Sequence, residues 1–174
     1  ELKVKPRFAN GQERIEFKNG GKYEVVAATR DASRGKTADF LFIDELREIP
    51  VDAWTAIRPT TRATGGITMT VSNAGDAFSE VLNDLRERAL SYPSKTLGWY
   101  EWSAPQNCKI DDRNAWCMAN PALGHTIDEE TLEEAIATNS VESTRTEMLC
   151  QWVASLESPW THGSIEATSN EDLT

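Results

Sequence analysis

The sequence predicts an α/β fold with a largely parallel sheet, flanking helices and a small helical piece towards the C-terminal end. Three observations predict it. Short strand-like runs alternate with segments of helical period, the order that favours layered α/β architecture. One run, Phe40-Leu41-Phe42-Ile43, is apolar at every position, as a strand buried on both faces must be. Apolar residues make up 39 % of the 174 residues, enough for a core, yet no unbroken apolar stretch approaches the roughly 20 residues that cross a bilayer. No membrane span is expected.

The elements follow in order. Arg14–Phe17 and Lys22–Ala28 are strand-like runs around Asn19-Gly20-Gly21, residues that tolerate positive φ, so residues 14–28 predict a hairpin. A polar stretch, Thr29–Asp39, leads into the apolar strand, which ends at Asp44-Glu45. Val51–Ile57 predicts a short helix opened by Pro50 and closed by Pro59. Ile67–Val71 reads as another strand before the loop Ser72-Asn73-Ala74-Gly75. From Asp76, a plausible cap, Phe78, Val81, Leu82, Leu85 and Ala89 recur at helical steps. Thr96–Trp102 is strand-like and aromatic. Beyond it come a short helix around Ala115, an acidic helix opened by Thr126-Ile127-Asp128-Glu129, and a helix over Glu142–Val153. The stretch from Ser158 reads as a linker or tail. Residues 1–102 are thus expected to form one core, 103–157 a helical lid or linker subdomain, and 158–174 the tail. With no initiator Met and no basic-then-apolar leader, the sequence reads as a fragment or processed piece without a secretory signal.

The formal charge of −10 argues against a free-standing nucleic-acid clamp, which needs clustered Lys and Arg. Residues 1–48 carry ten Lys/Arg against nine Asp/Glu, whereas residues 101–174 carry three against fourteen. A polyanion would therefore meet the first third. Cys108, Cys117 and Cys150 are too few and too irregularly spaced for a disulfide framework. Cys108, Cys117 and His125 match no standard zinc spacing and lack a fourth ligand.

Four apolar residues followed by two carboxylates, Phe40 to Glu45, form the pattern of a Walker B strand. A buried strand delivers both acids to the carboxyl end of a sheet, where ligands collect in open α/β folds. Asp44 would hold Mg²⁺ directly or through water, and Glu45 would polarise the water that attacks the γ-phosphate of ATP. An ordinary strand leaving the core at a solvated Asp-Glu pair has the same pattern. About 25 residues on, the strand ending in Thr70-Val71-Ser72-Asn73 places small polar groups where they would sense that phosphate. A plain strand-to-helix turn reads alike. Arg34, on a small polar loop upstream of the acids, suits a finger reaching a neighbouring subunit's phosphate, or a solvated loop position. Gly35-Lys36-Thr37 is not a P-loop. The position five before Gly35 is Arg30, and only six residues separate Thr37 from Asp44, too few for the crossover between parallel strands. The architecture these features predict is a partial P-loop NTPase-type, ASCE-like core.

Ala32-Ser33-Arg34-Gly35, Phe40–Glu45 and Thr70–Gly75 occur in an order and spacing that resemble the large subunit of bacteriophage terminases. The stretch from Trp116 through Ala119-Asn120-Pro121-Ala122-Leu123-Gly124, followed by an acidic helix and Thr146–Trp152, is similar to the end of the ATPase region in that family. The resemblance covers residues 8–155. It implies a motor that uses ATP and Mg²⁺ to pump double-stranded DNA into a capsid, as a homo-oligomeric ring on the portal protein and with a small terminase subunit, in the host cytoplasm. By resemblance Asp44 is the Mg²⁺-linked carboxylate, Glu45 the catalytic one, and Arg34 the arginine acting in trans. Thr70, Ser72 and Asn73 match the coupling motif. Two departures stand out. The sequence contains no GxxxxGK[ST], and after Trp152 too little chain follows to build the family's nuclease domain. The resemblance therefore implies a partial ATPase, inactive alone. A helicase-like ATPase fragment and a non-catalytic interaction module are the competing readings. Asp44-Glu45-Leu46-Arg47 departs from the usual helicase forms, while the acidity and the missing P-loop favour the module.

Overall fold

The computed structural model describes residues 4–8, 13–31 and 35–153. The chain divides into two compact units, Glu1–Ile43 with Ile49–Thr70, and Asp44–Glu48 with Val71–Thr174. The boundary expected at residue 102 falls inside the second unit, and the tail from Ser158 lies outside the described residues.

The first unit holds two small sheets. Strands β1 (Val4–Arg7), β2 (Arg14–Phe17) and β3 (Lys22–Glu24) form an antiparallel sheet in that order. The predicted hairpin is present. Gly20 takes φ +86, and Asn19 Oδ1 accepts the Gly21 N–H at 3.0 Å, closing the turn. Its second strand ends at Glu24 rather than Ala28, and β1 adds a third strand that hydrophobic alternation does not reveal. Pro6 is tolerated there because β1 is an edge strand.

The other sheet pairs β4 (Phe40–Ile43) with β5 (Ile67–Thr70) in parallel, with Phe40 opposite Ile67 and Ile43 opposite Thr70. Among the described residues the parallel sheet expected is this small pair, and the antiparallel strands stand in the separate sheet that holds the hairpin. The crossover from β4 to β5 carries helix α1 (Val51–Ile57), with Pro50 at its cap. Pro59 does not end the helical run; it lies within a 3-10 helix, Arg58–Thr61, that follows directly. Ile43, Ala53, Thr60 and Thr61 are buried.

The second unit is helical and carries the larger core. It comprises α2 (Glu80–Ser91), α3 (Arg113–Ala119), α4 (Glu129–Thr138) and α5 (Val141–Glu147). Ala104, Ala115, Trp116, Ala119, Leu132 and Leu149 are buried together, with Ile110, Leu123, Ile127 and Ile136 packed against them. Three expectations are corrected here. Helix α2 starts at Glu80 because the Asp76 carboxylate closes a local turn, accepting the Phe78 N–H at 2.8 Å, so Phe78 precedes the helix and is 79 % exposed. Thr96–Trp102 forms no strand. Its side chains are fixed laterally instead, with Trp99 Nε1 and Arg86 Nε each donating to Glu101 at 2.9 Å. Helix α5 stops at Glu147 instead of running to Val153. Cys150 takes φ +48, and the Gln151 N–H bonds back to the Arg145 carbonyl at 2.9 Å.

Candidate functional site

After β4 the chain turns through Asp44-Glu45 into a 3-10 turn, Leu46–Glu48. Asp44 Oδ1 accepts the Glu45 N–H at 3.0 Å, and Glu45 adopts φ +51. For a residue with a Cβ this left-handed conformation costs on the order of 1 kcal/mol, so its surroundings must impose it. They do. The Leu46 N–H donates to the Val71 carbonyl at 3.1 Å, the Arg47 N–H to Ser72 Oγ at 3.0 Å, and the Glu48 N–H to the Glu45 carbonyl at 2.9 Å. The turn thereby leaves Asp44 exposed and the Glu45 side chain 53 % exposed.

Of the residues singled out by sequence, Glu45, Ser72 and Asn73 converge within the second unit. Ser72 secures the acid loop through Arg47, and Asn73 Nδ2 donates to Glu147 Oε2 at 2.6 Å. Thr70 is the last residue of β5, half-buried and opposite Ile43. Arg34 lies outside the described residues. Lys36, in the segment refused as a P-loop, pairs with Glu24 at 2.7 Å, and this contact holds the Glu24 carboxyl below its ordinary value against the upward push of its partial burial.

Two further residues complete the cluster and carry no local sequence signal. The Arg47 side chain is only 12 % exposed; Nη2 donates to Glu147 Oε1 at 2.6 Å, and Nη1 to the Ala74 carbonyl at 3.4 Å. Its Nε lies 3.4 Å from Glu45 Oε2 and 3.2 Å from Glu48 Oε1, but neither contact has hydrogen-bond geometry, and Nε is buried without a hydrogen-bond partner. Burial disfavours the guanidinium charge, but Glu147, with Glu45 and Glu48, more than offsets it and raises the Arg47 pKa. Arg47 therefore stays charged. Nearby, burial pushes the Cys150 thiol up, and the Glu147 charge adds to the effect.

Among the described residues no group of three or more His, Cys, Asp or Glu is placed to hold a metal ion. All three cysteines are free thiols, and Cys108 Sγ lies 3.4 Å from Gln151 Nε2. Nor is any helix among the described residues long and apolar enough to cross a membrane.

Neither family models nor curated proteins give a match to this sequence. Its fold does match a solved structure, the crystal structure of the HK97 bacteriophage large terminase. The TM-score is 0.74, with 21 % sequence identity over 86 % of this chain and 33 % of that one. The chain thus spans about a third of that protein's length, and the likeness is one of fold. It is the fold to which residues 8–155 pointed.

Proposed function

We propose that this chain is part of the ATP-hydrolysing motor of a phage terminase large subunit, which packages DNA into capsids, and that it does not turn over ATP alone. One observation carries the reading. On the parallel pair β4–β5, Phe40 and Phe42 stand opposite Ile67 and Met69, and these four side chains are 57, 51, 67 and 49 % exposed. Parallel sheets are covered on both faces, and two strands alone do not make a stable sheet. A bare apolar face on such a pair, directly preceding an Asp-Glu turn, is what half of a P-loop ATPase core presents when the half bearing the phosphate-binding loop is absent. No GxxxxGK[ST] occurs in the 174 residues.

ATP and Mg²⁺ are the cofactors this reading requires. The residues present fit the metal-facing side of such a site, since Asp44 and Glu45 offer exposed carboxylate oxygens, the donors Mg²⁺ prefers. They supply no phosphate cradle. In the completed enzyme Asp44 would hold the metal directly or through water, and Glu45 would orient the attacking water. Thr70, Ser72 and Asn73 would register the nucleotide state and couple it to DNA movement, while Arg34 would supply a guanidinium for a phosphate on the neighbouring subunit. Double-stranded DNA, the portal protein and the small terminase subunit are the partners, and a homo-oligomeric ring in the host cytoplasm is the assembly. The acidic last third is not the DNA grip.

The test is hydrolysis by the chain alone and by the chain joined to an upstream segment carrying GxxxxGK[ST]. The joined protein should hydrolyse ATP with Mg²⁺ and lose turnover in Glu45→Gln, whereas the chain alone should be inactive. Robust turnover by the chain alone, abolished by Glu45→Gln, would overturn the claim of incompleteness. A joined protein without turnover would overturn the ATPase assignment.

A further inference from the structure

Glu147 closes α5 with both carboxylate oxygens engaged. Oε1 accepts from Arg47 Nη2 and Oε2 from Asn73 Nδ2, each at 2.6 Å. One carboxylate therefore joins the loop after β5 to the loop carrying the acid pair, across 74 and 100 residues of sequence. On its other side Arg47 meets Glu45 and Glu48 only at 3.4 and 3.2 Å. The arrangement is lopsided. A largely buried cation is committed to Glu147, and Glu45 occupies its loose side.

We propose that Arg47 and Glu147 are positioning residues for Glu45, so that the end of α5 sets where the Glu45 carboxylate rests. The proposal rests on the reading of Glu45 as the carboxylate that orients water. Its chemistry is charge competition. While Glu147 holds the guanidinium, Glu45 stays free to accept a water hydrogen. Without the Glu147 charge, Arg47 turns to its remaining carboxylates and draws Glu45 into a tight ion pair, which moves it away from the water it must align. Asn73, on the same carboxylate, makes the state of the Ser72-Asn73 loop an input to that competition. The helical segment ending in α5 then acts on the acid pair through one arginine.

The experiment reads the Glu45 carboxyl carbon resonance in the isotopically labelled 174-residue chain, assigned by its loss in Glu45→Gln. The expected result is that Glu147→Gln shifts this resonance through the arginine that both carboxylates face, and that the same substitution in an Arg47→Met background leaves it where Arg47→Met alone puts it. An unmoved resonance in Glu147→Gln, or an equal shift in the Arg47→Met background, overturns the proposal. If Glu147→Gln does not fold, Glu147→Asp, which keeps the charge and withdraws it by one methylene, is read by the same criterion. In the joined, P-loop-bearing protein Glu147→Gln should lower kcat by up to about a hundredfold, the scale of a misplaced catalytic group, with KM for ATP unchanged. A rise in KM with kcat unchanged overturns the positioning role. Absence of turnover in the unsubstituted joined protein counts against the ATPase assignment instead, and the resonance shift still decides the coupling.

Discussion

The hook that follows α5 depends on one buried amide. Gln151 is 1 % exposed; its Nε2 donates to the Pro105 carbonyl at 2.5 Å and its Oε1 accepts from Arg145 Nη1 at 2.7 Å. Gln151→Leu keeps the approximate volume and removes both bonds. Arg145 is left with long contacts, 3.5 Å to the Gln106 carbonyl and 3.4 Å to the Cys108 carbonyl. Losing a bond to a charged donor and a second one to the Pro105 carbonyl, which keeps only the Cys108 N–H at 3.0 Å, together costs about 3 kcal/mol. Burying the leucine methyls returns about 1 kcal/mol, for a net loss of about 2 kcal/mol. With a urea m-value of about 2 kcal/mol/M, the midpoint followed by tryptophan fluorescence should fall by about 1 M. Gln151→Glu separates the two bonds, because it keeps an acceptor for Arg145 but sets a carboxylate oxygen against the Pro105 carbonyl; it should be destabilised as well. A Gln151→Leu midpoint within about 0.3 M of the unsubstituted chain, on the same m-value scale, would refute the assignment of the hook to these bonds.

Gly66→Ala should disrupt the β4–β5 pairing, because the added Cβ would lie 2.4 Å from the Asp39 carbonyl oxygen and 2.7 Å from that of Ala38, both backbone atoms. A loss of about 1–3 kcal/mol is the scale of such overpacking, and faster amide exchange across Phe40–Ile43 and Ile67–Thr70 is its check. Burial pushes the Glu101 carboxyl up, but hydrogen bonds from Arg86 and Trp99 outweigh it and leave the pKa below its ordinary value of 4.5. A lowered carboxyl contributes stability that is complete above the unfolded value and is lost as the pH falls through the folded one. Glu101→Gln should therefore be less stable than the parent at pH 7, and the gap should close on acidification below about pH 4.5; a constant gap in denaturation midpoint across that range would contradict it.

The parts legible in the sequence are those specified within a few residues. The Asn19-Gly20-Gly21 turn, the apolar run ending in Asp44-Glu45 and the helix opened by Pro50 each declare themselves through backbone preference or uniform apolarity. What was misread involves side chains that satisfy backbone groups or one another over longer spans. Asp76 is a good cap in isolation, but its carboxylate is taken by the turn before α2. The aromatic run Thr96–Trp102 has strand propensity, but no strand pairs with it, and Arg86 and Glu101 organise it through side chains. Helix α5 is cut short by a left-handed Cys150 and by a glutamine whose amide is needed at Pro105. Glu147 and Arg47 were invisible as site residues for a related reason. A glutamate in the last turn of a helix and an arginine after an acid pair are ordinary surface patterns until folding brings them within 2.6 Å.

The division of the chain bears on how an acid pair of this kind can be controlled. Ile43 closes the segment of the first unit, and Asp44–Glu48 belong to the second, whose core includes Trp116, Leu132 and Leu149, each at most 2 % exposed. The first unit buries little apolar surface by comparison, with Ile43 and Ala53 its fully buried hydrophobic residues among those described. The strand that delivers the acids and the turn that aims them are therefore stabilised by different sets of contacts. Covering the bare face of Phe40 and Phe42 would secure the strand without fixing the carboxylates. The left-handed Glu45 is held by bonds to Val71 and Ser72 and by the Arg47–Glu147 pair, all in the helical unit. The bonds that hold the turn at Glu45 and the ladder that pairs β4 with β5 therefore share no side chain, so a substitution at Glu147 tests the first without touching the second.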